Sequence, residues 1–292
     1  MALKLACADF TFPEFEHSET LDLIYRLGFR GVDIGLFPRR THFQPHDYTT
    51  NVEQGAAILA NRVKSSGLEV ADLFLQSGAD LRENAENHPD NRERQKSRAL
   101  FLRTLEFASS CDAKHITSLP GIHWEDESTD DSFKRSADEL AWRVEQAQAL
   151  ETVYSVEPHM WSIAPTPEAA LQLVESSPGL TLTLDCSHFV CQGISEERFR
   201  PLIAHASHFH ARAACRGLLQ SSLEKNTIDF SPILGSINRM EYSGWIGIEY
   251  VRMQGVAEVA EVDNLSETIR MRELLERQWK ETSRKTFCSA AG

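Results

Sequence analysis

Four short stretches in the second half of the chain end in side chains that bind divalent cations. They are Val156-Glu157-Pro158-His159, Leu184-Asp185-Cys186-Ser187-His188, His208-Phe209-His210-Ala211-Arg212 and Gly247-Ile248-Glu249-Tyr250. Side chains alternate with period two along a strand. On that rule Ser155, Glu157 and His159 share a face, as do Thr183 with Asp185, His208 and His210 with Arg212, and Gly247 with Glu249. The opposite face carries Val156, Leu184, Phe209 and Ile248, which suit packing under helices. Buried carboxylates are costly unless positive charge compensates them. One divalent cation held by Glu157, Asp185, His210 and Glu249 would do so, and this oxygen-rich donor set favours Mn2+, Mg2+ or Co2+, then Zn2+, over a thiolate metal.

Such a site supports removal of a proton alpha to a carbonyl, because a cation bridging two adjacent substrate oxygens stabilises the enediolate. Glu157 and Glu249 reach the site from different strands and are the expected acid/base pair. Returning the proton to the neighbouring carbon isomerises the substrate. Returning it to the opposite face of the same carbon epimerises it, and expelling a beta leaving group makes the protein a lyase or dehydratase. His188, three residues past Asp185, is an expected substrate contact. Arg212, pointing inward, is a candidate for holding a carboxylate, phosphate or carbonyl oxygen, or for a structural ion pair. His159 is a candidate proton shuttle beside the substrate, and Trp124 a candidate apolar wall for a sugar ring. His208 is expected to be a hydrogen-bonded core histidine, and Cys186 a small core residue. No Ser/His/Asp array with sensible geometry is evident.

These residues need elements that bring the strand ends together. Strand-like runs occupy Leu3–Ala8, Gly31–Phe37, Glu69–Leu75, Lys114–Leu119, Thr152–Glu157, Leu180–Cys186, Ala206–Ala211 and Gly244–Val251. Helical spacing lies between them, as in Leu21, Ile24 and Leu27, or Leu140, Val144, Ala147 and Leu150. Thr166-Pro167-Glu168 reads as an N-cap followed by a first-turn proline. Strict alternation implies parallel strands with crossover helices, and eight units predict a (β/α)8 TIM barrel. An open doubly wound sheet is the rival, disfavoured because no Gly-x-Gly-x-x-Gly loop follows the first strand. Helix-to-strand links are short, whereas the strand-to-helix links 38–50, 76–91, 120–131 and 212–229 are long, as expected where a barrel carries its active site. Residues 1–282 are expected to form one barrel domain and 283–292 a flexible tail. The mixed-charge run Arg82–Arg98 reads as the solvated start of a helix.

The whole composition matches an ordinary soluble globular protein. The chain has 292 residues, 41% of them hydrophobic, and a formal charge of −13. That charge argues against nucleic-acid or anionic-membrane partners. Six cysteines without paired spacing read as free or buried thiols of a reducing compartment. No signal peptide or membrane span is evident, so a cytoplasmic location is expected.

Together, Gly28-Phe29-Arg30-Gly31-Val32-Asp33, Glu157-Pro158, Asp185-Cys186-Ser187-His188, His210 and Gly247-Ile248-Glu249 carry a resemblance. The sequence resembles the sugar phosphate isomerase/epimerase superfamily of xylose isomerase-like TIM barrels, over about residues 3–280. That superfamily includes ketose 3-epimerases, hydroxypyruvate isomerases, inosose dehydratases and an apurinic endonuclease group. The resemblance implies one divalent metal on Glu157, Asp185, His210 and Glu249. It also implies substrate contacts by His188 and by Arg216, six residues after the metal histidine, and a dimer or tetramer as the common assembly. Two positions depart from the pattern: His210-Ala211-Arg212-Ala213 replaces a frequent His-x-x-Asp, and Asp33 stands where Glu is frequent. The expected activity is a metal-dependent isomerase or epimerase of a sugar or sugar-derived keto compound, with a lyase on the same site as the alternative. An endonuclease would need more histidines and a basic face, and a non-catalytic sugar-binding barrel would not need both glutamates.

Overall fold

The computed structural model describes residues 2–253 and 255–290, with side chains as far as Ser283. Eight parallel strands close into a barrel in sequence order. They are β1 (Leu5–Ala8), β2 (Gly31–Leu36), β3 (Glu69–Leu75), β4 (His115–Ser118), β5 (Val153–Val156), β6 (Thr181–Asp185), β7 (Ala206–Ala211) and β8 (Ile246–Ile248). Each predicted strand is found, β3 and β7 with the expected bounds and the other six trimmed at the ends. The larger helices around it are α1 (His17–Arg26), α2 (Pro45–Thr49), α3 (Val52–Ser65), α4 (Asn91–Ser110), α5 (Thr129–Gln148), α6 (Pro167–Ser176), α7 (Ser187–Cys191), α8 (Glu196–Phe199), α9 (Phe230–Arg239) and α10 (Asn264–Ala290). Helix α2 lies inside the long link after β2. Helix α10 continues through Ser283 to Ala290, where the sequence suggests a flexible tail; Ala291 and Gly292 lie outside the described residues.

Local chemistry sets the boundaries. Thr166 caps α6 by accepting the Ala169 N–H at 3.3 Å, with Pro167 in the first turn. The short returns from α1 and α3 turn at Gly28 and Gly67, whose φ of 95° and 77° favour a residue without Cβ. Val156, Leu184, Phe209 and Ile248 pack in the apolar layer under the helices, as expected from period two.

The barrel interior is polar. Thr117, Ser155 and Thr183 link their hydroxyls at 2.6–3.2 Å across β4, β5 and β6. Nearer the N-terminal end, Asp72 Oδ1 meets His115 Nδ1 at 2.6 Å, His115 Nε2 meets Ser207 Oγ at 2.7 Å, and Ser207 meets Thr181 Oγ1 at 2.7 Å. This corrects the sequence reading, which found no Ser/His/Asp array: residues far apart in sequence meet on β3, β4 and β7. Thr181 ties the hydroxyl to β6, and the group fastens four strands at the face opposite the metal-type residues.

The charged run before and within α4 is also corrected. Asp90 caps the helix, and Arg94 and Arg98 turn onto Glu139 of α5, with Nε–carboxylate distances of 3.2 and 2.8 Å. The fully buried Arg143 reaches the same carboxylate at 3.3 Å and Ser97 at 2.9 Å. Glu139 is 4% exposed and Arg143 1% exposed, so removing one partner strands a buried charge. Glu139→Ala is expected to lower stability by about 3–5 kcal/mol in urea unfolding. A loss below about 1 kcal/mol would contradict a working buried network.

Candidate active site

The C-terminal ends of β5 to β8 bring the predicted groups together. His210 Nδ1 lies 2.7 Å from Glu157 Oε1 and 3.0 Å from Glu249 Oε2. Only the first contact has hydrogen-bond geometry; Glu249 Oε2 is a buried oxygen without a hydrogen-bond partner. Ligand atoms of Glu157, His210 and Glu249 lie within 4.8 Å of one another, as do those of Glu157, Asp185 and His188. Asp185 is engaged differently. Its Oδ1 accepts the Ser187 N–H at 2.9 Å, and Arg212 binds its Oδ2 through Nε at 3.0 Å and through Nη2. Arg212 Nη2 also lies 3.5 Å from Glu249.

The electrostatics follow from burial. Desolvation would lower the His210 pKa, but the charges on Glu249 and Glu157 and the hydrogen bond to Glu157 lift it well above the usual imidazole range. Burial pushes Glu157 up to about 7, against the hydrogen bond from His210. Both shifts favour protonation at this pair. Burial would raise Asp185, but Arg212 and His188 outweigh it and hold its carboxyl at about 2. His159 and His188 are both lowered by burial, His159 to about 4, so each offers a neutral ring. His159 Nε2 and His188 Nδ1 are buried atoms without a hydrogen-bond partner.

On the far side of His210, Asp33 Oδ2 accepts from His208 Nε2 at 3.1 Å and stops 3.8 Å from His210 Nε2. His208 is thus the hydrogen-bonded core histidine expected from sequence. A Cβ on Gly247 would sit 1.8 Å from the same Asp33 oxygen, so the glycine makes room for that carboxylate.

A cavity of about 350 Å3 opens above the cluster, within the range of small-molecule sites. Glu157, His159, His188, Arg212 and Glu249 line it. Two sequence candidates lie elsewhere. Trp124 is buried under the β4–α5 link, its N–H donating to Asn87 Oδ1 at 3.2 Å. Arg216 is exposed and lines a separate recess with Gly193 and Glu196. The aromatic wall of the cavity is Trp161, 38% exposed and 6.1 Å from the His188 ring, together with Phe10, Phe37 and Phe74. Trp161 is four residues past Glu157 in a loop, a spacing with no periodic signal to mark it.

The donor chemistry fits a divalent cation. Three buried carboxylates against one guanidinium leave two negative charges, which a divalent ion balances with His210 neutral. Glu157, His210 and Glu249 would hold it directly, and Asp185 would have to share an oxygen with Arg212. Among the described residues no helix is long and apolar enough to cross a membrane.

Residues 21–275 match the family model described as xylose isomerase-like TIM barrel, and the chain belongs to that family. No curated protein matches it by sequence. Among solved structures it is similar to an L-ribulose 3-epimerase, at 16% identity and a TM-score of 0.77 over 99% of this chain and 98% of that one. A 3-keto-D-glucoside 4-epimerase from E. coli gives 15% identity and a TM-score of 0.71, covering 94% of this chain and all of the other (100%). A probable 3-DHS dehydratase from Bacillus anthracis gives 12% and 0.69, over 94% and 99%.

Metal binding must displace the proton held by His210 and Glu157, so affinity for Mn2+ is expected to rise with pH. Between about pH 6 and about pH 8 the gain should approach tenfold per unit for each proton released. Calorimetry at several pH values checks this, and a pH-independent affinity would contradict the assignment of His210 as a ligand.

Proposed function

We propose that this chain is a divalent-metal-dependent isomerase or epimerase of a sugar or sugar-derived keto compound. The observation that carries the reading is the placement of two buried carboxylates from different strand ends, Glu157 and Glu249, both within 3.0 Å of His210 Nδ1 and both lining one cavity. The bound cation would supply Lewis-acid stabilisation of adjacent substrate oxygens. One glutamate takes the proton alpha to the carbonyl, and the other returns it. The elevated Glu157 carboxyl suits proton delivery near neutral pH. Neutral His188 and His159 are placed to hydrogen-bond substrate hydroxyls, and Arg212 holds Asp185 while presenting its remaining N–H groups to the cavity. The aromatic wall excludes water from the reacting carbons.

A lyase acting through the same enediolate is the second reading, favoured by the likeness to a dehydratase structure. The five cysteines among the described residues that are free suit a reducing compartment and support a cytoplasmic location.

Metal-loaded protein incubated in D2O with a panel of ketoses and keto acids is expected to exchange one substrate C–H. Glu249→Gln should reduce that exchange by at least about 100-fold with the fold intact. Exchange retained in the variant would remove Glu249 from the acid/base pair, and product analysis separates rearrangement from elimination.

A further inference from the structure

The cavity has a second polar end, away from the paired glutamates. Arg40, in the link after β2, and Gln76, the first residue past β3, both line it. An Arg40 Nη2 hydrogen is donated to Gln76 Oε1, and the guanidinium lies over the Phe37 ring, 5.2 Å from its centroid. That bond orients the Gln76 amide, whose NH2 remains a donor.

Arg40 differs from the other arginines of this cavity. Arg212 is engaged by Asp185 and Glu249, and Arg252 pairs with Glu14 at 2.7 Å. Arg40 has no carboxylate partner among the described residues, and burial alone lowers its pKa. Asp80 also lines the cavity, but its Oδ1 accepts the N–H groups of Arg82 and Glu83, each at 2.8 Å. Between the two polar ends run aromatic rings, with Phe37 5.1 Å from Phe74 and Phe74 5.5 Å from His210.

We propose that Arg40 and Gln76 form a subsite for an anionic terminus of the substrate, a carboxylate or a phosphate, so that the enzyme acts on an acidic keto-sugar. The proposal takes the opposite end of the cavity to be the enolising centre. A neutral hydroxyl gains little from the positive charge of Arg40. An anionic oxygen group accepts from both, and its charge answers a partly desolvated guanidinium that the protein leaves unpaired.

The test is calorimetric binding of D-fructose, D-fructuronate and D-fructose 6-phosphate to the metal-loaded protein, three ligands with one carbon skeleton. At least one charged ligand should bind about tenfold tighter than D-fructose or better. Arg40→Gln should bring it within about twofold of D-fructose, and Arg40→Lys should keep part of the preference. Which charged ligand gains identifies carboxylate or phosphate as the natural group. Equal affinities, no binding by either charged ligand, or a preference that survives Arg40→Gln would overturn the subsite. Exchange in D2O separates the two readings. Exchange without a charge preference removes the subsite and leaves the reaction class. An Arg40-dependent preference without exchange does the reverse.

Discussion

The protein depends on burying three carboxylates at the ends of adjacent barrel strands. Glu157, Asp185 and Glu249 are each at most 5% exposed, and carboxylates so removed from water require compensating charge close by. Arg212 meets one of them directly and His210 bridges the other two. The remaining imbalance is what a divalent cation would remove. The position of Arg212, the elevated pKa of Glu157 and the donors facing the cavity all follow from that one electrostatic demand.

The barrel below the site is built to tolerate this charge. Its interior is hydrogen-bonded and largely polar, with linked hydroxyls from Thr117, Ser155 and Thr183 and the Asp33–His208 pair under His210. Each of these polar groups meets a neighbour on another strand. Such outer partners set ring orientation and ligand basicity. Asp33 reaches His208 and stops short of His210, so its support for the His210 ring passes through packing and charge more than through a direct hydrogen bond.

Much of this was legible in the sequence, because it rests on short-range rules. Period-two alternation placed Glu157, Asp185, His210 and Glu249 inward and Val156, Leu184, Phe209 and Ile248 outward, and the Thr166-Pro167 cap marked its helix. Loop residues were less legible. Trp124 and Trp161 both follow strand ends, and only the path of each loop decides that Asn87 buries the first while the second faces the cavity. Arg216 sits at a spacing shared with the family, yet its loop carries it outward. The Asp72–His115–Ser207 array joins three strands, and pairwise meetings across a closed barrel leave no local signature. Arg94 and Arg98 read as solvated because their partner Glu139 lies on a different helix.

We propose that one divalent cation balances the carboxylate cluster at the ends of β5 to β8. Anomalous diffraction from crystals of Mn2+-loaded protein tests it directly. A single strong peak is expected between Glu157, His210 and Glu249, within reach of Asp185. Absence of a peak there, with Arg212 still closed on Asp185, or a peak at Asp33 and His208 instead, would contradict it.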